Sequence, residues 1–418
     1  MVKEITVVDL FAGAGGLSEG FHTQNYKMVA YVEKDKYACD TLLTRHIYWQ
    51  LIRKNKRSLY LDYLKGKIQR EEFYNHREGS NPVINAEITQ DTHNVIVERI
   101  RENMAQLNIK NIDLFIGGPP CQAYSLIGRA RDPYKMEKDQ RNMLYKYYVG
   151  LLKEFQPKAF IFENVPGILN AGKGQLFKDV CYFFENSGYK LEIQILDSSD
   201  FLVLQKRRRV ILIGWKKDHS LKYPRFKPIK HHYKVKDIFM DLPPLQAGEI
   251  IERGDYATVE PTGYLKKAGI RKRDDILTQH ITRPHTKIDK EIYRIAIKKW
   301  NEEGRRLRYN DLPERLKTHK SRKSFPDRFK VVAADLPYSH TVVAHISQDG
   351  HYYIYPDESQ VRSISVREAA RLQSFPDDYF FEGPRTRILA QIGNAVPPLM
   401  AEKIAKKIRE EFYEKDKE

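Results

Sequence analysis

The sequence predicts an α/β protein with a doubly wound, mainly parallel sheet. Three apolar runs, at residues 5–10, 112–116 and 159–162, have the length of buried strands, and a Gly- or Pro-containing turn follows each of them. Helical patterns at residues 34–46 and 141–155 supply connections of the kind that parallel strands need. In an open α/β sheet, ligands bind beyond the carboxyl ends of the strands, so the turns are the candidate functional sites.

Length and composition fit a globular protein larger than one average domain. The chain has 418 residues, of which 41% are hydrophobic and 30% charged. No run approaches the roughly 18 apolar residues of a membrane span, so we predict no membrane helix. A strand pattern begins at Ile5, so we predict no signal peptide. The three cysteines, Cys39, Cys121 and Cys181, are too far apart to indicate a metal or disulfide pair. We therefore expect a cytoplasmic protein without a metal site.

The net charge of +17, with a pI of about 9.4, predicts a polyanionic partner. Nucleic acid is favoured over a membrane surface because no segment has the pattern of a basic amphipathic anchor. A generally lysine-rich surface would give the same charge, and composition alone does not separate the two interpretations.

The first apolar run leads into a glycine-rich turn that suits a nucleoside ligand. Glycines between a strand and a helix let the backbone approach a ligand closely. The next strand pattern ends at Glu33, 17 residues after Gly16, where an acid can bind ribose hydroxyls. The turn lacks the Lys-Ser/Thr of a phosphate site, and Asp9 and Glu19 would repel phosphate, so S-adenosylmethionine fits better than NAD or ATP. The predicted ligand contacts here are Asp9, Phe11, Ala12, Gly13, Gly15, Gly16 and Leu17.

Residues 48–82 interrupt the sheet pattern with a polar, basic stretch. We interpret it as a surface insertion, and a solvated charged face is favoured over a DNA-binding role. The pattern resumes at a third strand end, where Glu87 can accept a hydrogen bond from an adenine amine and Ile88 follows as a second cofactor contact.

The Gly-Gly-Pro-Pro turn after residues 112–116 precedes the candidate nucleophile, Cys121. A stiff prolyl turn at the carboxyl end of a buried strand would hold a thiol where chemistry takes place. A lone cysteine more often packs as a small hydrophobe, but Pro120 before Cys121 and Gln122 after it make burial in a core less favourable.

The run at residues 159–162 repeats this design and ends at Glu163. Most glutamates are solvated, but one that follows Phe-Ile-Phe and precedes Asn-Val-Pro-Gly is favoured to lie in a pocket. Because strand ends of this kind meet at one edge of a sheet, we expect Glu163 to lie close to Cys121.

Six motifs in a fixed order resemble those of DNA cytosine-5 methyltransferases. They span nearly the whole chain apart from residues 48–82 and the segment between Arg209 and Arg367, and six ordered motifs are far more specific than any one of them. Glu87 stands where this family usually has Asp. The motifs are Phe-Ala-Gly-x-Gly-Gly (11–16), Pro-Pro-Cys-Gln (119–122), Glu-Asn-Val (163–165), Gln-x-Arg-x-Arg (205–209), Arg-Glu-Ala-Ala-Arg-Leu-Gln-Ser-Phe-Pro (367–376) and Gln-Ile-Gly-Asn-Ala-Val-Pro-Pro (391–398).

The resemblance implies a Rossmann-like, S-adenosylmethionine-dependent methyltransferase fold with a smaller inserted target-recognition domain. The catalytic domain would comprise residues 1–235 and 362–418, and the recognition domain residues 236–361. The recognition segment is rich in Lys, Arg, His and Gly, and its basic side chains would contact phosphates and base edges.

The implied reaction can also be argued from chemistry. Cytosine C5 is too weak a nucleophile to accept a methyl group directly, whereas a thiolate that adds at C6 makes C5 enamine-like. Cys121 is the predicted nucleophile, and Glu163 is the predicted proton donor at N3. Arg207 and Arg209 are candidates for stabilising the thiolate, with phosphate contacts as an equal alternative.

The target cytosine lies inside a duplex, so it must be flipped out before it can react. Residues 122–138, which contain Arg129 and Arg131, resemble a lid that closes over DNA, with a merely solvated loop as the alternative. The motifs imply further cofactor contacts at Pro119, Asn394, Ala395 and Val396. They imply substrate contacts at Pro120, Gln122, Ser125, Asn164, Val165 and Gln205.

We expect a monomeric enzyme that acts on double-stranded DNA, does not bind membranes and associates with the nucleoid when bound. It would protect DNA from a cognate restriction endonuclease that acts on the same site without necessarily binding the enzyme. A transfer-RNA cytosine-5 methyltransferase is one alternative, although the long segment before the last two motifs favours a DNA reader. A catalytically inactive homologue is the other, and the presence of Cys121 and Glu163 argues against it.

Overall fold

The structure is a computed structural model that describes residues 4–120, 144–219, 221–319 and 326–414. Its centre is a seven-stranded sheet in the order β3-β2-β1-β4-β5-β7-β6, which confirms the predicted α/β class. The first five of these strands run parallel, and β7 is antiparallel to both of its neighbours. The strands are β1 (Ile5–Leu10), β2 (Tyr26–Glu33), β3 (Val83–Asn85), β4 (Leu114–Gly117), β5 (Ala159–Asn164), β6 (Tyr189–Asp197), β7 (Arg208–Lys216), and a separate antiparallel pair, β8 (Ile250–Gly254) and β9 (Leu277–Ile281).

Helices cover both faces of the central sheet. Successive side chains of a strand point to opposite faces, and Val7 and Val8 of β1 accordingly belong to different hydrophobic clusters. Within the described ranges, no helix is long and apolar enough to cross a membrane. The α-helices are α1 (Gly16–Thr23), α2 (Lys36–Arg53), α3 (Arg57–Leu64), α4 (Arg70–Tyr74), α5 (His93–Gln106), α6 (Leu144–Phe155), α7 (Gln175–Glu185), α8 (Gly263–Lys267), α9 (Lys287–Glu303), α10 (Val366–Leu372), α11 (Arg385–Asn394) and α12 (Pro398–Arg409).

The strand order reverses between β1 and β4, which makes this the topological switch point of the sheet. Leu10 of β1 is paired with Gly117 of β4, and Gly117 with Phe162 of β5. Because these residues lie in register, the three predicted functional turns begin at the same edge of the sheet.

Residues 48–82 are only in part the solvated charged face that was predicted, and whether they form an insertion stays a prediction. Tyr60 and Phe73 of this stretch are fully buried, and Tyr63 stacks on Phe73 with their ring centroids 4.5 Å apart. The Tyr63 hydroxyl donates a hydrogen bond of 2.6 Å to Oε1 of Glu382. The stretch therefore combines its lysines and arginines with an aromatic face that packs into the protein.

The hydrophobic packing of the recognition segment, residues 236–361, continues past its predicted end. One cluster joins Ile238 and Leu265 of this segment to Leu372 of α10 and Ile392 of α11. This shared core does not mark a boundary between residues 361 and 362, so the domain boundary there stays a prediction.

Four buried charged residues, here called the ionic joint, connect the recognition segment to α10. They are Asp241, Arg271, Arg371 and Asp377. Arg371 contacts Asp377 at 2.6 Å and Asp241 at 2.5 Å, and Arg271 contacts Asp241 at 2.5 Å. An unpaired buried charge is costly, so each member of the joint depends on the others.

Candidate active site

A cavity of about 880 Å³ lies beyond the carboxyl ends of β1, β2, β4 and β5. Its volume lies within the range of roughly 300–1,000 Å³ that is usual for small-molecule sites. Most of the predicted contact residues that the structure describes line it, whereas Gly15, Gln205 and Arg207 lie outside its lining. The predicted residues in the lining are Asp9, Phe11, Ala12, Gly13, Gly16, Leu17, Glu33, Glu87, Ile88, Pro119, Pro120, Glu163, Asn164, Val165, Arg209, Asn394, Ala395 and Val396.

The glycine-rich turn is held against the end of β2 by Glu33. The backbone N–H of Gly13 donates a hydrogen bond of 2.8 Å to Oε2 of Glu33, and Oε1 accepts bonds of 2.9 Å from the N–H groups of Lys34 and Asp35. Gly13 has a positive φ of 54°, which favours glycine, and a Cβ there would meet open space. The turn thus leaves room for a ligand beside a fixed carboxylate.

The next two glycines of the turn allow close packing. A Cβ on Gly16 would lie 2.3 Å from the carbonyl oxygen of Val396, so the last motif closes directly over the first. Gly15, with a φ of 78°, faces the interior, where a Cβ would lie 2.9 Å from Cδ2 of Leu42. The structure therefore places Gly15 beneath the cavity, in packing rather than in ligand contact.

Asp9 lies in the cavity lining but is only 1% exposed. Burial raises the pKa of its carboxyl to about 8, the Ser18 hydroxyl that donates to Oδ2 opposes this rise, and the nearby Glu33 charge adds to it. Oδ1 has no hydrogen-bond partner among the described atoms. Asp9 is thus held protonated over much of the neutral range.

Glu163, at the end of β5, is paired with Arg209 near the start of β7. Nε of Arg209 lies 2.6 Å from Oε1 of Glu163, and the two side chains are 10% and 16% exposed, respectively. The antiparallel pairing of β5 with β7 brings the two residues together. One carboxylate oxygen of Glu163 is thereby fixed inside the cavity.

The turn before Cys121 packs tightly on the Glu163 strand end. A Cβ on Gly118 would lie 2.2 Å from the carbonyl oxygen of Glu163 and 2.8 Å from its Oε2, so only glycine fits there. The Asn164 side-chain amide donates a hydrogen bond of 3.2 Å to the carbonyl oxygen of Pro119. Two of the predicted motifs are therefore in direct contact.

Cys121, Gln122 and Ser125 lie outside the described residues, as does the predicted lid at residues 122–138. Pro120, the described residue that precedes them, lines the cavity. The placement of the nucleophile next to Glu163 therefore stays a prediction.

The structure does not bring Arg207 or Gln205 to the cavity, in contrast to what the motif implied. Arg207 is 1% exposed, and its guanidinium donates to the carbonyl oxygens of Val342 at 2.6 Å and Gly393 at 3.0 Å. Gln205 is fully buried, and its amide donates to the carbonyl oxygen of Leu372. Among the described residues, both side chains bond backbone segments and hold them together.

Two acids of the glycine-rich turn and the third strand end lie in different surroundings. Glu19, which was expected to repel phosphate, lies outside the cavity lining, where it is buried and forms an ion pair of 2.6 Å with Arg45. Glu87 does line the cavity, but its side chain is 56% exposed and lies 2.7 Å from Nζ of Lys34. Glu33 and Glu87 both line this end of the cavity, and the carboxylate of Glu33 is the better fixed of the two.

Sequence reasoning missed part of the lining. A short 3-10 helix, Ala344–Ser347, brings residues of the recognition segment to the cavity, and no motif marks it. α11 contributes residues upstream of its recognised motif. Asp35 could have been found, because an acid before a helix is a usual N-cap and its carboxylate accepts from the N–H groups of Tyr37 and Ala38. The missed residues are Ala14, Val32, Lys34, Asp35, Ala38, Ala86, Gly117, Gly118, Leu144, Ala344, His345, Ser347, Gln348, Arg387, Ala390 and Gln391.

Comparison with solved structures shows the same fold elsewhere. A DNA modification methyltransferase encoded within a prophage of E. coli has a TM-score of 0.66 at 23% identity, with coverage of 97% of this chain and 99% of that one. DNMT2 of Spodoptera frugiperda has a TM-score of 0.53 at 14% identity, again covering 97% and 99%. At these identities the likeness is one of fold.

Sequence comparison identifies the family. The C-5 cytosine-specific DNA methylase family matches residues 5–73 and 68–410. The Type II methyltransferase M.Bpa9945I of Bacillus paralicheniformis is 42% identical, over 97% of this chain and 98% of the relative. M.DdeI of Desulfomicrobium norvegicum, also a Type II methyltransferase, is 31% identical over 97% and 88%. The chain belongs to the C-5 cytosine-specific DNA methylase family and is a DNA cytosine-5 methyltransferase.

Proposed function

We propose that the enzyme transfers a methyl group from S-adenosylmethionine to C5 of a flipped-out cytosine, through a covalent adduct with Cys121. The ion pair of Arg209 with Glu163 carries this proposal, because it lies in the same cavity as the Gly13–Glu33 contact. A single cavity thus combines a nucleoside-binding turn with a fixed acid group, as methyl transfer to a base requires.

The cavity fits the proposed cofactor. The carboxylate oxygens of Glu33 accept backbone N–H groups and keep lone pairs that could accept ribose hydroxyls. Phe11 and Ile88 offer apolar surface for an adenine ring, and Asn394 also lines the cavity. When bound, the cofactor supplies an electrophilic methyl group.

The protein groups would act on the base in sequence. The Cys121 thiolate forms a bond to C6, and the electrons of the C5–C6 double bond move toward C5 and the N3 side of the ring. Glu163 donates a proton or a hydrogen bond at N3, which relieves the negative charge that develops there. After C5 has accepted the methyl group, a water molecule takes the C5 proton, the C5–C6 double bond forms again, and the Cys121 sulfur leaves as a thiolate. Glu163 takes back any proton that it gave to N3.

Arg209 would orient the acid. Its contact with Oε1 of Glu163 leaves Oε2 directed toward Gly118, the residue that begins the turn to Pro120. A base held beyond that turn would meet Oε2 rather than the oxygen already in use. We therefore assign Arg209 to positioning Glu163, with the thiolate role left to other groups.

The biological setting that we propose is a restriction-modification system. The relatives M.Bpa9945I and M.DdeI are both named Type II methyltransferases. The enzyme would methylate a specific duplex sequence and so protect it from a cognate endonuclease. We also propose that the enzyme is a monomer, and light scattering of the purified enzyme tests this.

Methyl transfer from labelled S-adenosylmethionine tests the proposed substrate. We expect label in duplex DNA and none in transfer RNA, and bisulfite sequencing should map the product to cytosine C5 within one short sequence. Label in transfer RNA alone, or in adenine, would contradict the assignment.

Cys121→Ser tests the nucleophile. A hydroxyl is a far poorer nucleophile than a thiolate at neutral pH, so we expect methyl transfer to be lost while cofactor binding remains. Cys181→Ser is the matched control, because Cys181 lies on α7 outside the cavity lining. Duplexes containing 5-fluorocytosine should form a stable adduct on Cys121, and an adduct on another residue would refute the mechanism.

A further inference from the structure

Three buried polar side chains, here called the polar bracket, lie between the recognition segment and the last motif. They are Gln205, Arg207 and Gln373, and each is at most 1% exposed. None of them lines the cavity among the residues described. Because they are buried outside the cavity, their contacts with other segments decide what they do.

Each member of the bracket binds main-chain groups. Arg207 donates to the carbonyl oxygens of Val342 and Gly393, as described above. The Gln205 side-chain oxygen accepts a hydrogen bond of 3.0 Å from the N–H of Val342, and its amide donates at 3.2 Å to Oε1 of Gln373. Gln373 in turn donates at 2.8 Å to the carbonyl oxygen of Ile392. The bracket therefore links Val342 to the end of α11.

Both linked segments lead directly into the cavity. Val342 comes two residues before the 3-10 helix Ala344–Ser347, which lines the cavity from the recognition side. Gly393 comes immediately before Asn394, which lines it from the cofactor side. A Cβ on Gly393 would lie 2.3 Å from the N atom of Ala344, so the two backbones are in contact.

This geometry makes independent movement of the two segments unfavourable. A shift of Val342 that left Gly393 in place would strand buried carbonyl oxygens without donors, because the planar guanidinium of Arg207 spans both of them. A shift at the recognition segment must therefore be followed by the backbone that carries Asn394.

We propose that the polar bracket couples DNA binding by the recognition segment to cofactor binding, so that Gln205, Arg207 and Gln373 are positioning residues for methyl transfer. This inference rests on the proposed function, since it takes DNA and S-adenosylmethionine as the two ligands. Coupling between two sites is reciprocal, so the cofactor also tightens DNA binding by the same factor.

Calorimetry measures the coupling directly. S-adenosylhomocysteine, which cannot donate a methyl group, is titrated into the enzyme with and without a duplex carrying the site mapped by bisulfite sequencing. In the wild type we expect the duplex to tighten S-adenosylhomocysteine binding by a factor of about 5–150.

Arg207→Lys keeps the charge but replaces the two fixed guanidinium nitrogens, which bond one carbonyl oxygen each, by a single flexible ammonium, so we expect the factor to fall to within about twofold of unity. The affinity without DNA should stay within about twofold of the wild type. Arg208→Lys, the same change on the exposed neighbour, should keep the full factor. Gln373→Met provides a second variant if Arg207→Lys does not fold, and the same loss is expected.

A bracket that only stabilises the fold would lower the melting temperature and weaken both affinities equally, leaving their ratio unchanged. That result, or a wild type in which DNA has no effect on S-adenosylhomocysteine binding, would overturn the inference. Failure of the proposed function is distinguishable, because the wild type would then not methylate duplex DNA at all.

Discussion

Asp9 in the cavity and Asp377 in the ionic joint are both buried, but their surroundings leave them in opposite charge states. Asp9 in the cavity has its pKa raised to about 8 by burial. Asp377 in the joint is equally buried, and burial alone would raise its pKa too, but the Arg371 guanidinium lowers it below its ordinary value. Glu368 behaves like Asp377. Burial alone would raise its pKa, but the Arg362 guanidinium, 2.7 Å away, lowers it. The comparison shows that the partner, rather than the depth of burial, sets the charge.

The two regions also differ in how they are held in place. The cavity is positioned by the register of a seven-stranded sheet, whose hydrogen bonds and apolar side chains fix the turns. The recognition segment contains a sheet of only two strands in its described part, so buried arginine–carboxylate pairs carry a larger share of its attachment. Apolar packing tolerates small changes, whereas a buried ion pair does not tolerate the loss of one partner.

The largest effect is expected from breaking the joint. Arg371→Met would leave Asp241 and Asp377 without a shared cation and should lower the free energy of unfolding by about 3–5 kcal/mol, as measured by urea denaturation. Arg315→Met breaks an exposed ion pair with Glu291 and should change the stability by no measurable amount. Equal effects of the two substitutions would remove the distinction between the regions.

A smaller effect is expected at the cofactor end of the cavity, where the carboxylate is satisfied by backbone N–H groups instead of by a cation. Glu33→Ala removes that anchor and a charge-assisted bond to ribose, so S-adenosylmethionine binding should weaken by about 1.5–3 kcal/mol in calorimetry. Glu87→Ala, at the exposed neighbouring acid, should weaken it less. Unchanged affinity in Glu33→Ala would make Glu33 a structural residue only.

The smallest step is a dependence on pH. An acid whose pKa is raised in the folded state binds more protons there than in the unfolded chain, so Asp9 lowers stability as the pH rises from about 4 toward 8. Asp9→Asn should remove this loss, so between pH 6 and pH 7 its free energy of unfolding relative to the wild type should rise by about 1.4 kcal/mol. Urea denaturation at both pH values measures it, and Asp91→Asn, at an exposed acid, is the control.

Two buried acids that are paired with arginines should behave with the opposite sign: Asp377 of the ionic joint, and Glu368, which is paired with Arg362. Because the pKa values of Asp377 and Glu368 are lowered in the folded state, their contribution is fully present above the unfolded value of about 4 and is lost as the pH falls further. This contrast would be contradicted if Asp9→Asn stabilised the protein near neutral pH and acidification below pH 4 stabilised it as well.

Much of the site could be predicted because it follows strands. The turns after β1, β4 and β5 were recognisable as apolar runs that end in glycine or proline, and parallel strands bring such ends to one edge. The same logic failed for Arg207, because residues two apart point the same way only within a strand. Arg209 belongs to β7 and reaches Glu163, but Arg207 precedes β7 and turns toward Val342.

The rest could not be predicted because it depends on contacts between distant segments. Residues 48–82 have a polar average composition, and only the partners of Tyr60 and Phe73 reveal an aromatic core. The 3-10 helix Ala344–Ser347 carries no motif, and it follows Val342, which the polar bracket binds. Periodicity reports the face of an element, but it does not report which remote segment covers that face.

The contact between Gly16 and Val396 has a consequence for synthesis on the ribosome. The two residues are separated by 380 positions, so at about 5–20 residues per second the first motif waits roughly 20–80 s for the segment that closes over it. During that interval the nascent chain carries the glycine-rich turn without its opposite wall. A prematurely released chain would therefore be unable to modify DNA, and the onset of methylation is tied to completion of translation.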